Sequence, residues 1–109
     1  MSKISTHVLD TVLGKPAPGI SLRLDRQHDN AWEPVAYCTT DADGRCRDLL
    51  EKGSGGVYRL TFDTGSYFAC DGRRSIYPEI SITFTCDADQ HYHLPLLLSD
   101  NGYTTYRGS

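Results

Sequence analysis

Two histidines at alternate positions, His91 and His93, open the last apolar stretch of this 109-residue chain. At strand period, Tyr92, Leu94, Leu96 and Leu98 fall on one face, an ordinary core face. His91, His93, Pro95 and Leu97 fall on the other, so both imidazoles stand on the surface the core does not use. A third histidine, His7, is placed the same way near the start of the chain. Ile4, Thr6 and Val8 form the core face there, and His7 shares the opposite face with Ser5 and Leu9. Imidazole is the side chain whose protonation state environment can tune near neutrality, which suits it to take a proton from water. No nucleophile elbow, phosphate-cradling glycine loop or Cys-His pairing by spacing is present, so any hydrolysis is expected to use a directly activated water. In an isolated sandwich, outward histidines would simply be solvated; they do chemistry only if their faces meet something.

His91 and His93 form an H-x-H pair, a spacing that can supply two metal ligands. Asp89, Cys86 and His28 are the loose candidates for a third and fourth ligand, and nothing in the local pattern aims them at the pair. No metal and no cofactor are expected.

The elements that must hold these residues are short strands. Ile20, Leu22 and Leu24 alternate with Ser21, Arg23 and Asp25, and Tyr58, Leu60 and Phe62 with Val57, Arg59 and Thr61. Ile80, Ile82, Phe84 and Cys86 alternate with Glu79, Ser81, Thr83 and Thr85. Further strands are expected over residues 4–10, 33–40 and 46–50, and a short helix within residues 65–71. After His91–Leu98, turn residues at 99–102 lead into a last strand, Tyr103–Arg107, with Thr104 and Tyr106 on one side. Punctuation falls at 14–19, 41–44, 53–56 and 87–89. Strands at this spacing predict an all-β, antiparallel two-sheet sandwich of about eight strands with one short helix, forming a single domain over residues 1–109.

Net charge is −3 and the isoelectric point near 5.7, with basic residues dispersed, which argues against nucleic acid and a polybasic membrane patch. The longest apolar run, residues 94–98, is far short of a membrane span, and the N-terminus lacks a secretory apolar region. A cytoplasmic protein is expected. Cys38, Cys46, Cys70 and Cys86 show no tight spacing, and with that compartment all four are expected to be reduced thiols, Cys86 as a small core residue.

The ending Tyr106-Arg107-Gly108-Ser109 resembles the C-terminal tetrapeptide of the 5-hydroxyisourate hydrolases, the transthyretin-related enzymes of urate breakdown. The resemblance extends to residues 5–17 as the first strand and turn, to Asp43-Gly44-Arg45-Cys46 as a central arginine segment, and to Tyr77-Pro78-Glu79-Ile80 as the start of the sixth strand. It covers residues 4–109. Asp100-Asn101 replace a frequent Pro-aromatic pair, and Thr104 a usual serine; the first bears on the hairpin tip and the contact near it.

The resemblance implies a transthyretin-like sandwich assembled as a homotetramer, whose outer sheets enclose a channel lined by the first strand and the C-terminal hairpin. It implies hydrolysis of 5-hydroxyisourate in purine catabolism, with His7, Arg45 and His93 catalytic. Arg45, otherwise a solvated turn residue, would sit in the channel mouth, its planar fork of donors facing an oxygen-rich heterocycle. Tyr106 would stack on or bond the substrate, Gly108 would permit close backbone approach, and Ser109 would bring a hydroxyl. His7 and Arg45 would also contact the substrate, while Arg107 points to the opposite side and would anchor the tail. Three alternatives are a transthyretin-like carrier of a small aromatic ligand, a metal-binding sandwich using His91 and His93, and a structural sandwich with no site.

Overall fold

Alternation of apolar and polar side chains sorts the strands into two sheets with a shared interior. In the computed structural model, which describes residues 2–53 and 55–108 (the side chains of 2 and 51–53 aside), β1 spans Ser2–Asp10, β2 Lys15–Pro16, β3 Ser21–His28, β4 Ala31–Thr39 and β5 Arg45–Gly53. β6 spans Gly56–Phe62, α1 Thr64–Cys70, β7 Ile80–Cys86, β8 His91–Ser99 and β9 Gly102–Thr105. One sheet runs β2-β1-β8-β9, with β5 also on β1; the other runs β4-β3-β6-β7. Every pairing is antiparallel except β1 with β8, which is parallel and sets Ser5 opposite His93 and His7 opposite Pro95. Ile4, Val8, Leu94, Leu96 and Leu98 from the first sheet meet Leu22, Leu24, Tyr58, Leu60, Phe62 and Ile80 from the second, all buried. Burying each such aliphatic side chain contributes about 1.5 to 3 kcal/mol.

Several strand limits differ from the expectation, each for a local reason. β2 is a two-residue strand inside what reads as a turn, because Gly14 at φ +69° folds the chain back to pair Lys15 with Asp10. β3 and β4 run on to His28 and from Ala31, since Asp29 and Asn30 both take positive φ and close a tight hairpin. β9 ends at Thr105, so Tyr106 and Arg107 leave the ladder before Gly108 returns to bridge His93. α1 starts at its Asp63 cap, whose carboxylate accepts from Ser66 N.

The cysteine expectation is corrected. Cys38 and Cys46 form a disulfide across a Cα separation of 6.5 Å, while Cys70 is a free exposed thiol and Cys86 a free buried one. The turn at 40–44 brings the end of β4, in one sheet, against the start of β5, in the other, a meeting that sequence spacing does not reveal. Closing a loop of this size is worth about 2 to 3 kcal/mol in the chain-entropy account. Denaturant titration with and without a dithiol reductant should show a midpoint loss of that order, and Cys38→Ser should show the same loss without reductant.

Candidate active site

β1, β5 and β8 border one open cleft of about 340 Å³. Lys3, Ser5 and Thr6 from β1, Arg45, Arg47 and Asp48 from β5, and His91 and His93 from β8 line it. The parallel register of β1 and β8 is what places Ser5 and His93 side by side. Ser5 Oγ lies 2.9 Å from His93 Nδ1 and 3.1 Å from His91 Nε2, so one hydroxyl ties the two imidazoles together. The ring of His7 stands 6.5 Å from that of His93, centre to centre.

Arg45 is held from both sides of its backbone. His7 pairs with it across the β1–β5 ladder, and Asp41 Oδ1 accepts from Arg45 N at 3.0 Å and from Asp43 N at 2.9 Å. The Arg45 N–H in turn lowers the pKa of the exposed Asp41 carboxyl and is the main cause of its downward shift. Gly44, at φ +74°, lets this turn seat on β1: a β-carbon there would stand 2.3 Å from Val8 O, and Gly44 O already accepts from Val8 N at 2.7 Å. The site arginine is therefore the first residue of a strand and is half-buried, rather than a loose turn residue.

His93 is partly buried, and that burial lowers its pKa below 6.5, with the positive charge of Arg45 and then His7 and His91 adding to the shift. A neutral imidazole is thus favoured. Gly108 holds the far edge of the ring. Its N–H donates to His93 O at 2.7 Å, and a β-carbon on it would fall 2.8 Å from His93 Cδ2 and 3.2 Å from Pro95 Cγ. Gly108→Ala should push the ring off Ser5 and lower turnover of the substrate considered below about tenfold, with the unfolding midpoint shifted by less than the about 1 to 3 kcal/mol that core overpacking costs; steady-state kinetics beside a melt would check this.

Of the residues singled out in the sequence, His7, Arg45 and His93 converge, and Gly108 packs on His93. Tyr106 does not line the cleft; it is 53% exposed. Ser109 lies outside the described residues. Arg107 turns away, donating to Gln90 Oε1 at 3.0 Å and to His91 O at 3.3 Å with its guanidinium over the Tyr92 ring, and so ties the tail to the start of β8. Ser5, Lys3, Arg47 and Asp48 were not singled out. Ser5 carried a signal, being the neighbour of His7 on the outward face; the other three depend on the β1–β5 register, which is irregular between Ile4 and Thr6. His91 and His93 are joined through Ser5, His28 lies in the other sheet, and among the described residues no three His, Cys, Asp or Glu side chains gather as a metal set.

The cleft is a polar, cationic recess with two imidazoles and one acid in its lining and the His7 ring 6.5 Å from that of His93, able to bind an oxygen-rich anionic molecule and to move a proton. Residues 4–108 match the HIUase/Transthyretin family model. The chain is 45% identical to the 5-hydroxyisourate hydrolase of Salmonella typhimurium, over 97% of this chain and 80% of that protein. It superposes on the structure of Klebsiella pneumoniae 5-hydroxyisourate hydrolase with a TM-score of 0.90 and 39% identity, covering all of both chains. It superposes equally well on Sparus aurata transthyretin, at a TM-score of 0.93 and 31% identity over 97% and 96% of the two chains. With the match spanning nearly the whole sequence, this chain belongs to the HIUase/Transthyretin family.

Proposed function

We propose that the protein hydrolyses 5-hydroxyisourate to 2-oxo-4-hydroxy-4-carboxy-5-ureidoimidazoline by opening the six-membered ring at its amide. The observation that carries this reading is the meeting of His7, His93 and Arg45 at the outer face of β1, β5 and β8, in a chain so similar to 5-hydroxyisourate hydrolases. In this mechanism a neutral His93 or His7 takes a proton from water as its oxygen attacks the ring carbonyl. Its partner orients that water or protonates the leaving nitrogen as the C–N bond breaks. Arg45 stabilises the negative charge growing on the carbonyl oxygen. Lys3 and Arg47 add to the positive field that draws an anionic heterocycle into the cleft.

Tyr106 and Ser109 fix the substrate ring in this reading, and assembly supplies what one chain leaves open. Tyr106 is exposed, and the face that carries His7 and His93 also bears half-buried Leu9 and Leu97. A homotetramer enclosing that face would bury them around the substrate. We place the reaction in urate breakdown in the cytoplasm. The fold supports a second reading, a carrier of a small aromatic ligand, because the transthyretin of Sparus aurata superposes as well as the hydrolase does.

One experiment separates the two. 5-Hydroxyisourate is generated in place from urate with urate oxidase, and its ultraviolet decay is followed with and without the protein. Decay well above the spontaneous rate supports the hydrolase; a folded protein that leaves the decay unchanged moves the carrier to first place.

A further inference from the structure

The bridge between His91 and His93 has a chemical property that neither histidine has alone. A serine hydroxyl carries one proton, so Ser5 can donate to only one of the two ring nitrogens and must accept from the other. Two arrangements satisfy this. In one, His93 Nδ1–H donates to Ser5 Oγ and Ser5 O–H donates to His91 Nε2, which leaves a lone pair on His93 Nε2. In the other, His91 Nε2–H donates to Ser5 Oγ and Ser5 O–H donates to His93 Nδ1, which puts the proton on His93 Nε2. The first arrangement makes His93 a base at Nε2 and the second makes it an acid there. Moving two protons by one hydrogen bond each, with one proton gained at His93 Nε2 and one lost from His91 Nδ1, converts one into the other.

We propose that His91, Ser5 and His93 form a proton relay that connects the base in the cleft to solvent and resets it within each turnover. His93 Nε2 takes a proton from the attacking water. The Nδ1 proton of His93 passes to Ser5 Oγ as the proton of Ser5 passes to His91 Nε2, and the exposed His91 releases its Nδ1 proton to water. His93 is left neutral with a proton on Nε2, ready for the leaving nitrogen. When it gives that proton up, His91 Nδ1 takes one from water and the chain shifts back, so one water is consumed and no net proton is gained or lost. The relay rests on the hydrolase reading and assigns to Ser5 and His91 roles that reading leaves empty.

The surroundings favour passing the charge on rather than storing it. Facing the two imidazoles are Lys3 and His7 from β1 and Arg45 and Arg47 from β5, against the single acid Asp48. Burial, then Arg45 and the neighbouring imidazoles, disfavour an imidazolium at His93. Ser5 is 6% exposed and fixed in the β1–β8 ladder, so it offers a route between the rings that needs no water to enter. His91 lies at the open end, where its outer nitrogen meets solvent.

The test uses His91→Gln and Ser5→Ala with urate-generated 5-hydroxyisourate, at low and high concentrations of imidazole buffer. Glutamine keeps a polar group near Ser5 but cannot pass a proton. Both variants should lose about tenfold or more in kcat at low buffer, a share of the about 10² to 10⁴ that positioned acid–base groups supply. His91→Gln should recover most of that loss as imidazole rises, with KM unchanged, while the unaltered protein ignores the buffer. A merely structural role for His91 would not respond to buffer, so loss without rescue, or no loss, overturns the relay. If the unaltered protein fails to accelerate the decay at all, the hydrolase reading itself fails, an outcome distinct from both.

Discussion

His93→Ala is expected to lower the turnover of 5-hydroxyisourate by about 10²- to 10⁴-fold, the range supplied by a positioned general base, and His7→Ala to cause a loss of the same order. The two rings stand 6.5 Å apart, close enough to share one water and one leaving group between them. They are not equivalent. His93 is fixed by Ser5 at Nδ1 and by Gly108 at its far edge, whereas among the described residues no hydrogen bond fixes the His7 ring. We therefore expect the larger loss in kcat from His93 and a larger share of KM in the loss from His7. The pH dependence follows from the direction of the His93 shift. Burial and its cationic neighbours lower its pKa, so the base form persists below 6.5 and the acid limb of the rate profile should lie on the acid side of that value. Both variants near unaltered activity would sink this mechanism even with the family secure.

The second large effect is on stability. Asp10, fully buried at the end of β1, accepts from Arg73 Nη1 at 2.5 Å and Nη2 at 3.3 Å, from Tyr67 Oη at 2.8 Å, and from Val12 N and Leu13 N at 3.1 Å each. Arg73 also holds Asp100 and Asp71, so one guanidinium joins β1, the end of α1 and the turn before β9. Burial alone would raise the Asp10 pKa, but the donors outweigh it and hold it at about 2, while the same burial and the carboxylate push Tyr67 up to about 12. Asp10→Asn should cost about 3 kcal/mol at pH 7, the low end for breaking a buried pair because Arg73 keeps two other partners. The folded-state pKa lies below the ordinary 3.8, so the contribution is complete above pH 4 and is lost as pH falls through 2. That share is about 2 kcal/mol. Urea titrations from pH 7 to pH 2 should show the gap between the two proteins narrowing only at the acid end; a constant gap would mean that packing, not charge, is what the substitution removes.

How much of this was legible beforehand depended on whether a feature is local. Tyr92, Leu94, Leu96 and Leu98 announce a core face by alternation, and the structure buries all four, which leaves His93 outward by parity. The short helix expected within residues 65–71 runs over Thr64–Cys70, behind an Asp63 cap. What depends on two distant segments meeting was not. The disulfide needs β4 and β5 to approach across the two sheets, and the Ser5 bridge needs β1 and β8 to pair in parallel at one register. Tyr106 shows the opposite limit. Parity put it on a strand face, but β9 stops at Thr105, and Tyr106 lies in the gap before Gly108 rejoins β8 at His93.

The parallel pairing of β1 with β8 also bears on how the molecule is made. Ser5 and His93 are 88 residues apart in sequence. At the usual rate of synthesis, β1 therefore waits roughly four to eighteen seconds for this neighbour. It can dock against β5 meanwhile, but its other edge stays unpaired, and an open edge beside Ile4 and Val8 invites pairing with other chains. Contacts of such long range make folding slow as well as late. The same delay is a safeguard for the chemistry: no chain that stops short of β8 can hold the bridged histidines, so proton-moving capacity arrives only once that strand is made.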